Sequence, residues 1–205
     1  MIKNNVSGAQ FFINGANTKT QRLDVVTTYS SQVGQGELQL SLGVNLTDTK
    51  VTGQFSPGGL NGIKPSDVFG AQGVSIIEEW QPKDRVHFTT YYAVNNFVYN
   101  FSLNRFGEYA VLDNNQRQIY GAKWLTDVKV SWHYSQAITF EVGANNLFDV
   151  TPDKNTIGQA TQGHIVDSND NTLVDSDGVF EYSRRTAPFG FNGAYFYAGL
   201  SYRFD

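Results

Sequence analysis

Cysteine is absent from these 205 residues, methionine occurs once and proline five times. Without cysteine there is no disulfide frame, no thiolate metal site and no cysteine nucleophile. The same absence suits a chain that crosses an oxidising compartment without mispairing. No apolar run approaches the roughly 18 residues of a transmembrane helix, so a helical membrane protein is excluded. Lysine and arginine form no cluster, and the formal net charge is -4 with a sequence pI of about 5.3. A nucleic-acid-binding surface is therefore not expected. Neither a Gly-x-Ser-x-Gly elbow nor a Gly-x-x-x-x-Gly-Lys loop occurs, and enzymatic activity has no support. His87, His133 and His164 are isolated from one another, with no metal-ligand spacing, so neither metal nor cofactor is expected.

Aromatic residues, glycine, threonine, valine and asparagine are abundant instead, a strand-and-turn composition. The mean hydropathy of -0.35 does not exclude a membrane barrel, in which only every second strand residue meets lipid. Alternation recurs along the chain. Leu38, Leu40, Leu42, Val44 and Leu46 share one face of an extended strand, and Glu37, Gln39, Ser41, Gly43 and Asn45 share the other. Val86, Phe88, Thr90 and Tyr92 alternate with His87, Thr89 and Tyr91. Phe97, Tyr99, Phe101 and Leu103 alternate with Val98, Asn100, Ser102 and Asn104. Val128, Val130, Trp132 and Tyr134 alternate with Asp127, Lys129, Ser131 and His133, and Ile138, Phe140, Val142 and Ala144 with Thr139, Glu141, Gly143 and Asn145. A first strand is expected from about Phe11 to Tyr29. In the last, Phe196, Ala198, Leu200, Tyr202 and Phe204 oppose Tyr195, Tyr197, Gly199, Ser201 and Arg203.

The connections alternate short and long: 31–36, 95–96 and 135–137 against 47–84, 107–122 and 150–192. Tight turns at one end and long loops at the other are how outer-membrane barrels are built. The expected fold is all-β, an antiparallel transmembrane barrel segment of about seven strands. Bacterial single-chain barrels use even strand numbers, and an open edge in lipid leaves backbone groups unbonded. A fragment of a larger barrel is the expectation. Residues 1–8 lack the apolar core of a signal peptide, which fits a mature chain or a fragment of an exported protein.

Gly143-Ala-Asn-Asn-Leu-Phe-Asp149, followed by Val150-Thr-Pro-Asp153, resembles the N-N-L-F-D signature near the end of TonB-dependent outer-membrane receptors. The stretch from Phe11 to Asp24 resembles the family's F-F-T-N-A-x-D-T-R-T-x-G-V-D, with Asn17 for the usual Asp and Arg22 for the usual Gly. Ile77-Glu-Glu-Trp-Gln-Pro-Lys-Asp84 is similar to its E-x-G-x-P-x-x-K, with Trp80 for Gly. Gly199, Tyr202 and Phe204 fit the terminal signal read by the barrel-assembly machinery, although Asp205 follows the aromatic. The resemblance implies that residues 1–205 are the carboxy-terminal part of a 22-stranded barrel. The plug domain and the TonB-contacting segment then lie in a missing amino-terminal part. It implies an active transporter in the outer membrane of a Gram-negative bacterium, importing siderophore-iron, cobalamin, haem or oligosaccharide. Its partners are outer-membrane lipid, its own missing plug and strands, TonB and the assembly machinery.

Asn145, Asn146, Leu147, Phe148 and Asp149 form the family motif. Glu37, Gln39, Lys129, His133, Glu141, Asn145 and Arg203 are the lumen-facing candidates; ordinary solvation of one sheet face also accounts for them. Trp124, Trp132, Tyr134, Tyr92, Phe97, Tyr99 and Phe204 fit an aromatic girdle, or cross-strand packing in a soluble core. The segment 167–178 is acidic, but Thr172 and Gly178 stand where a calcium loop needs Gly and Glu, so an exposed loop is expected. Residues 56–62 read as a turn-rich loop, with no strand feeding it and no helix following. Two rival readings are a small outer-membrane pore or structural barrel and a soluble carbohydrate-binding β-sandwich. The sandwich would tuck Leu40, Val130 and Phe140 into one dry interior.

Overall fold

A computed structural model describes residues 14–56, 62–113, 115–156, 165–166, 172–174, 181–183 and 187–204. In chain order the elements are β1 (Ala16–Val33), β2 (Gly36–Gln54), α1 (Pro65–Val68), α2 (Ala71–Glu78), β3 (Asp84–Val94), β4 (Phe97–Phe106), β5 (Tyr109–Asp113), β6 (Gln116–Tyr120), β7 (Lys123–His133), β8 (Ile138–Asn145), β9 (Ile165–Val166), β10 (Thr172–Val174) and β11 (Tyr195–Tyr202). Seven strands form one antiparallel sheet in the order β1-β2-β3-β4-β7-β8-β11. The expected seven strands are thus present, each beside its predecessor in the meander. Three tight turns lie at one end. Gly34 there adopts φ 61 and Asn95 φ 52, the left-handed region that a two-residue hairpin demands.

Cross-strand register carries the apolar rows across the whole sheet. Val25 pairs with Val44, Val44 with Val86, Leu42 with Phe88, Phe88 with Leu103 and Tyr99 with Val130. Val130 pairs in turn with Val142, and Val142 with Ala198. Since directly paired residues share a face, one side of the sheet is apolar and the other polar. The apolar face stays open. Phe140 is 42% exposed, Val142 58% and Leu200 65%. Leu40 and Val130 are half-buried along the same open rows, not enclosed between two layers. Contiguous apolar patches of more than a few hundred Å² are rare on soluble monomers.

Strands β3, β4 and β7 have 11, 10 and 11 residues, the length that spans a bilayer at a tilt of about 45°. Strands β1 and β2 are longer, at 18 and 19 residues. β2 continues to Gln54, past the expected limit at Leu46, and β1 runs from Ala16 to Val33, not from Phe11 to Tyr29; residues 1–13 lie outside those described. Beyond Leu46 the residues Thr47, Thr49, Val51 and Thr52 keep strand propensity while both faces turn polar. The hairpin therefore projects past the apolar band.

The long connections carry structure of their own, contrary to the reading of plain loops. β2 does lead into residues 56–62 and α1 and α2 do follow, although residues 57–61 lie outside those described. Residues 107–122 hold the β5–β6 hairpin, and β9 pairs with β10. The buried apolar cluster of the described residues, Trp80, Tyr109, Val111 and Tyr120, lies among these connections and not beneath the sheet.

Candidate functional site

The polar face begins with residues that alternation alone puts there. Gln39 pairs with Tyr91, Tyr91 with Asn100, Asn100 with Lys129, Lys129 with Gly143 and Gly143 with Tyr197. Glu37 pairs with Ala93, Ser131 with Glu141 and His133 with Thr139. Six of the seven lumen candidates, Glu37, Gln39, Lys129, His133, Glu141 and Asn145, lie on this one face, and Arg203 lies just past the end of β11. Lys129 and Glu141 form an ion pair at 3.9 Å, and His133 bonds the Thr139 hydroxyl at 2.9 Å. Glu37 and Arg203 are not brought together; they lie on β2 and just past β11, with four strands between. Midway along the face a hollow of about 320 Å³ is bordered by Tyr91, Asn100, Ser102, Asp127, Lys129 and Tyr197.

Three residues of this face, His87, Asn104 and Asp127, carry more than sequence reading gave them. His87 Nδ1 meets Asn104 Oδ1 at 2.5 Å, and Asn104 Nδ2 donates to Asp127 Oδ2 at 3.4 Å. Asp127 Oδ1 accepts the backbone N–H of Asn146 at 2.7 Å. A polar ladder thus runs from β3 through β4 and β7 to the end of β8. Alternation put His87, Asn104 and Asp127 on one face, but only the register placed them side by side. His164 lies outside the described residues.

The asparagine-rich motif closes the base of the last long connection. Asn145 ends β8 on the polar face, opposite Tyr195. Asn146 takes φ 51, and its carboxamide bonds Val150 twice, accepting its N–H at 2.9 Å and donating to its carbonyl at 2.7 Å. Leu147 donates its N–H to the Thr126 carbonyl at 2.8 Å, and its side chain joins Val128, Val142 and Phe196 on the apolar side. Phe148 is exposed. Asp149, at φ 56, accepts the Ala194 N–H at 2.8 Å from the far end of the connection. The motif is a tie between β7, β8 and β11, not a cluster of groups aimed at solvent.

At the opposite end of the sheet the aromatic candidates form a band. Tyr92 stacks on Tyr99, Phe97 on Trp132 and Trp132 on Phe140, with Tyr134 edge-on to Trp132. Tyr202 and Phe204 meet edge-on at 4.7 Å. Trp124 stands apart, near the long connections, with the Arg105 guanidinium 6.0 Å from its ring. Gly199 leaves room for the Glu141 side chain, which a Cβ there would meet at 2.9 Å.

The long connections pack into a cap. Glu78 Oε1 accepts the Val51 N–H at 2.7 Å, fixing α2 to the projecting part of β2. Arg117 reaches Glu79 at 2.9 Å, Asp153 takes the Gly121 N–H at 2.6 Å and the Lys123 ammonium at 2.5 Å, and Gln118 bonds both Lys154 and Thr156 at 2.8 Å. The Arg117 bond holds the Glu79 carboxyl below its usual range, against a smaller push from burial. Burial pushes Asp153 up, but Lys123 and the Gly121 N–H together hold it below the usual range. Tyr109 and Tyr120 stack at 4.8 Å, and burial raises both phenols. Among the described residues no group of His, Asp and Glu could hold a metal ion. Of the segment 167–178 only Thr172–Val174 is described; the rest lies outside the described residues.

No protein-family model matches the chain, and no curated protein does. Among solved structures it is similar to the FpvAI–pyocin S2 complex, at 14% identity and a TM-score of 0.46, over 66% of this chain and 16% of that one. It is likewise similar to the ferripyoverdine receptor of the outer membrane of Pseudomonas aeruginosa bound to ferripyoverdine, at 15% identity and a TM-score of 0.44, again over 66% and 16%. The chain spans 16% of the length of these solved structures.

Proposed function

We propose that this chain is the carboxy-terminal barrel segment of a TonB-dependent outer-membrane transporter whose plug and remaining strands lie elsewhere in a longer polypeptide. One observation carries the membrane part of this reading: an apolar row in register across seven strands is left open, while the buried cluster sits in the cap. Contact with hydrocarbon makes such a face favourable. The tight turns then face the periplasm and the cap faces outward, as outer-membrane barrels are arranged. Asn145–Asp149 supports the family reading by its sequence.

In this reading the polar face lines the lumen, where Glu37, Gln39, Lys129, His133, Glu141, Asn145 and Arg203 meet water and the plug. Gly199, Tyr202 and Phe204 serve the assembly signal. The cargo is a scarce, bulky ligand of the siderophore-iron, cobalamin, haem or oligosaccharide kind, taken up with energy delivered through TonB. Deleting the gene in its host and measuring uptake of each labelled ligand, with and without TonB, tests this. Loss of one TonB-dependent uptake is expected; unchanged uptake of all four would contradict it.

A further inference from the structure

Asparagine is followed directly by glycine at residues 14–15, 61–62 and 192–193. The third of these pairs lies where the last long connection is tied to the sheet. Asn192 is exposed in the bend that precedes β11, and Gly193 takes φ 75. A Cβ at Gly193 would run into Asp149 Oδ1, a collision that glycine avoids. The same oxygen accepts the Ala194 N–H at 2.8 Å. The anchoring bond therefore falls on the peptide after Gly193. Among the described residues the Asn192 carboxamide and the Gly193 N–H have no hydrogen-bond partner. Other carboxamides are held: Asn146 is bonded twice to Val150, and Asn45 donates to Asp24 at 2.7 Å. Gly15, which follows Asn14, is fixed by the bond from the Phe55 N–H to its carbonyl at 2.9 Å. Residue 61 lies outside those described.

We infer that Asn192–Gly193 is a self-modification site, at which the asparagine side chain loses ammonia to the backbone nitrogen that follows it. This inference is independent of the membrane reading. The Gly193 nitrogen attacks Asn192 Cγ. A bond from that nitrogen to Cγ forms, the Cγ–Nδ2 bond breaks, and Nδ2 departs as ammonia with the proton given up by the Gly193 nitrogen. A cyclic imide remains. Glycine permits the approach because no Cβ stands between the carboxamide and its nitrogen. Water then opens the imide at one of its two carbonyls. Opening at Cγ gives aspartate in a normal chain. Opening at the backbone carbonyl gives isoaspartate, with the main chain rerouted through the former side chain. One water enters, one ammonia leaves, and nothing is oxidised or reduced.

Either product acts on the tie. Aspartate brings a second negative charge close to Asp149, two residues before the N–H that Asp149 holds, and like charges repel. Isoaspartate lengthens the main chain by one C–C bond, about 1.5 Å. A contact of 2.8 Å stretched by that amount is no longer a hydrogen bond. The site is thus a one-way release for the corner between β8 and β11.

The test is peptide mapping of the full natural polypeptide, fresh and after incubation at neutral and mildly alkaline pH. The tryptic peptide 186–203 contains a single asparagine, Asn192, and no glutamine, so its mass reports this residue alone. It should gain about one dalton in ordinary water and about three in oxygen-18 water, and resolve into two isomers. The gain should be faster than at Asn145 and Asn146 in peptide 130–154, which precede no glycine. A peptide 186–203 that changes no faster than these overturns the inference. Exchange of the Ala194 amide reads the consequence. It should quicken at least about tenfold in the incubated protein and in Asn192→Asp, and stay slow in incubated Asn192→Gln. Equal Ala194 exchange in fresh and fully modified protein overturns the release.

Discussion

Tyr197 lies across Gly143. A Cβ at Gly143 would come within 2.5 Å of the Tyr197 ring and hydroxyl, and within 2.8 Å of the Val128 carbonyl. The missing side chain lets the ring lie across β8 on the polar face, at the level of Lys129. Gly143→Val should therefore destabilise the β7–β8–β11 corner by about 1–3 kcal/mol, the usual range for overpacking. Thermal unfolding in detergent checks this, and truncating Tyr197 should relieve only part of the loss, because the Val128 carbonyl remains.

The tie made by the asparagine-rich motif should open from either side chain, Asp127 or Asn146. Asp127→Ala leaves the Asn146 N–H, on a residue only 7% exposed, without its acceptor, at a cost of about 1–3 kcal/mol. Asn146→Gly keeps the left-handed backbone but loses both bonds to Val150. Both variants should speed protease cleavage between residues 150 and 194 while leaving the sheet folded. Equal cleavage in wild type and variants would make the motif's hydrogen bonds unimportant for the connection.

How much of this was legible in the sequence depends on the period of each element. The seven strands of the sheet show a two-residue alternation that survives any tertiary context, so Leu38–Leu46 or Ile138–Ala144 could be placed directly. α2 could not, because Gly73 weakens its helical pattern and it is held by the Glu78 bond to Val51 rather than by propensity. The β5–β6 hairpin was hidden in a stretch read as loop, although Asn115 at φ 62 is a residue type suited to its turn. The site was half legible. Which residues share the polar face follows from alternation, but that Asp127 meets Asn146 follows from interstrand register and a loop geometry no local pattern encodes.

Tyr109 offers a test of sign. Its hydroxyl is buried with no hydrogen-bond partner among the described residues, while its ring stacks on Tyr120. Tyr109→Phe should be neutral or stabilise the cap by up to about 1 kcal/mol, since an unbonded buried hydroxyl is removed. Tyr109→Ala should cost about 3–5 kcal/mol through the lost ring. Hydrogen exchange of the β5 and β6 amides would report both.

Acid should loosen the cap before the sheet. Glu79 and Asp153 have carboxyl pKa values lowered in the folded protein, so their contribution is present above the unfolded value of about 4 and is lost as pH falls through the lower folded values. Protease sensitivity of residues 107–122 should rise below about pH 4, with β-sheet circular dichroism unchanged. Loss of the Arg117 and Lys123 ion pairs by substitution should remove that pH dependence.

The most direct measurement of the membrane claim is residue-by-residue accessibility along β2 in lipid. Nitroxides at successive positions from Glu37 to Leu46 would be relaxed by lipid-soluble oxygen and by a water-soluble nickel chelate. The account predicts a two-residue alternation, with Leu38, Leu40, Leu42, Val44 and Leu46 open to oxygen and Glu37, Gln39, Ser41, Gly43 and Asn45 open to nickel. A leucine row shielded from both reagents would contradict it, because those side chains would then lie in a protein interior.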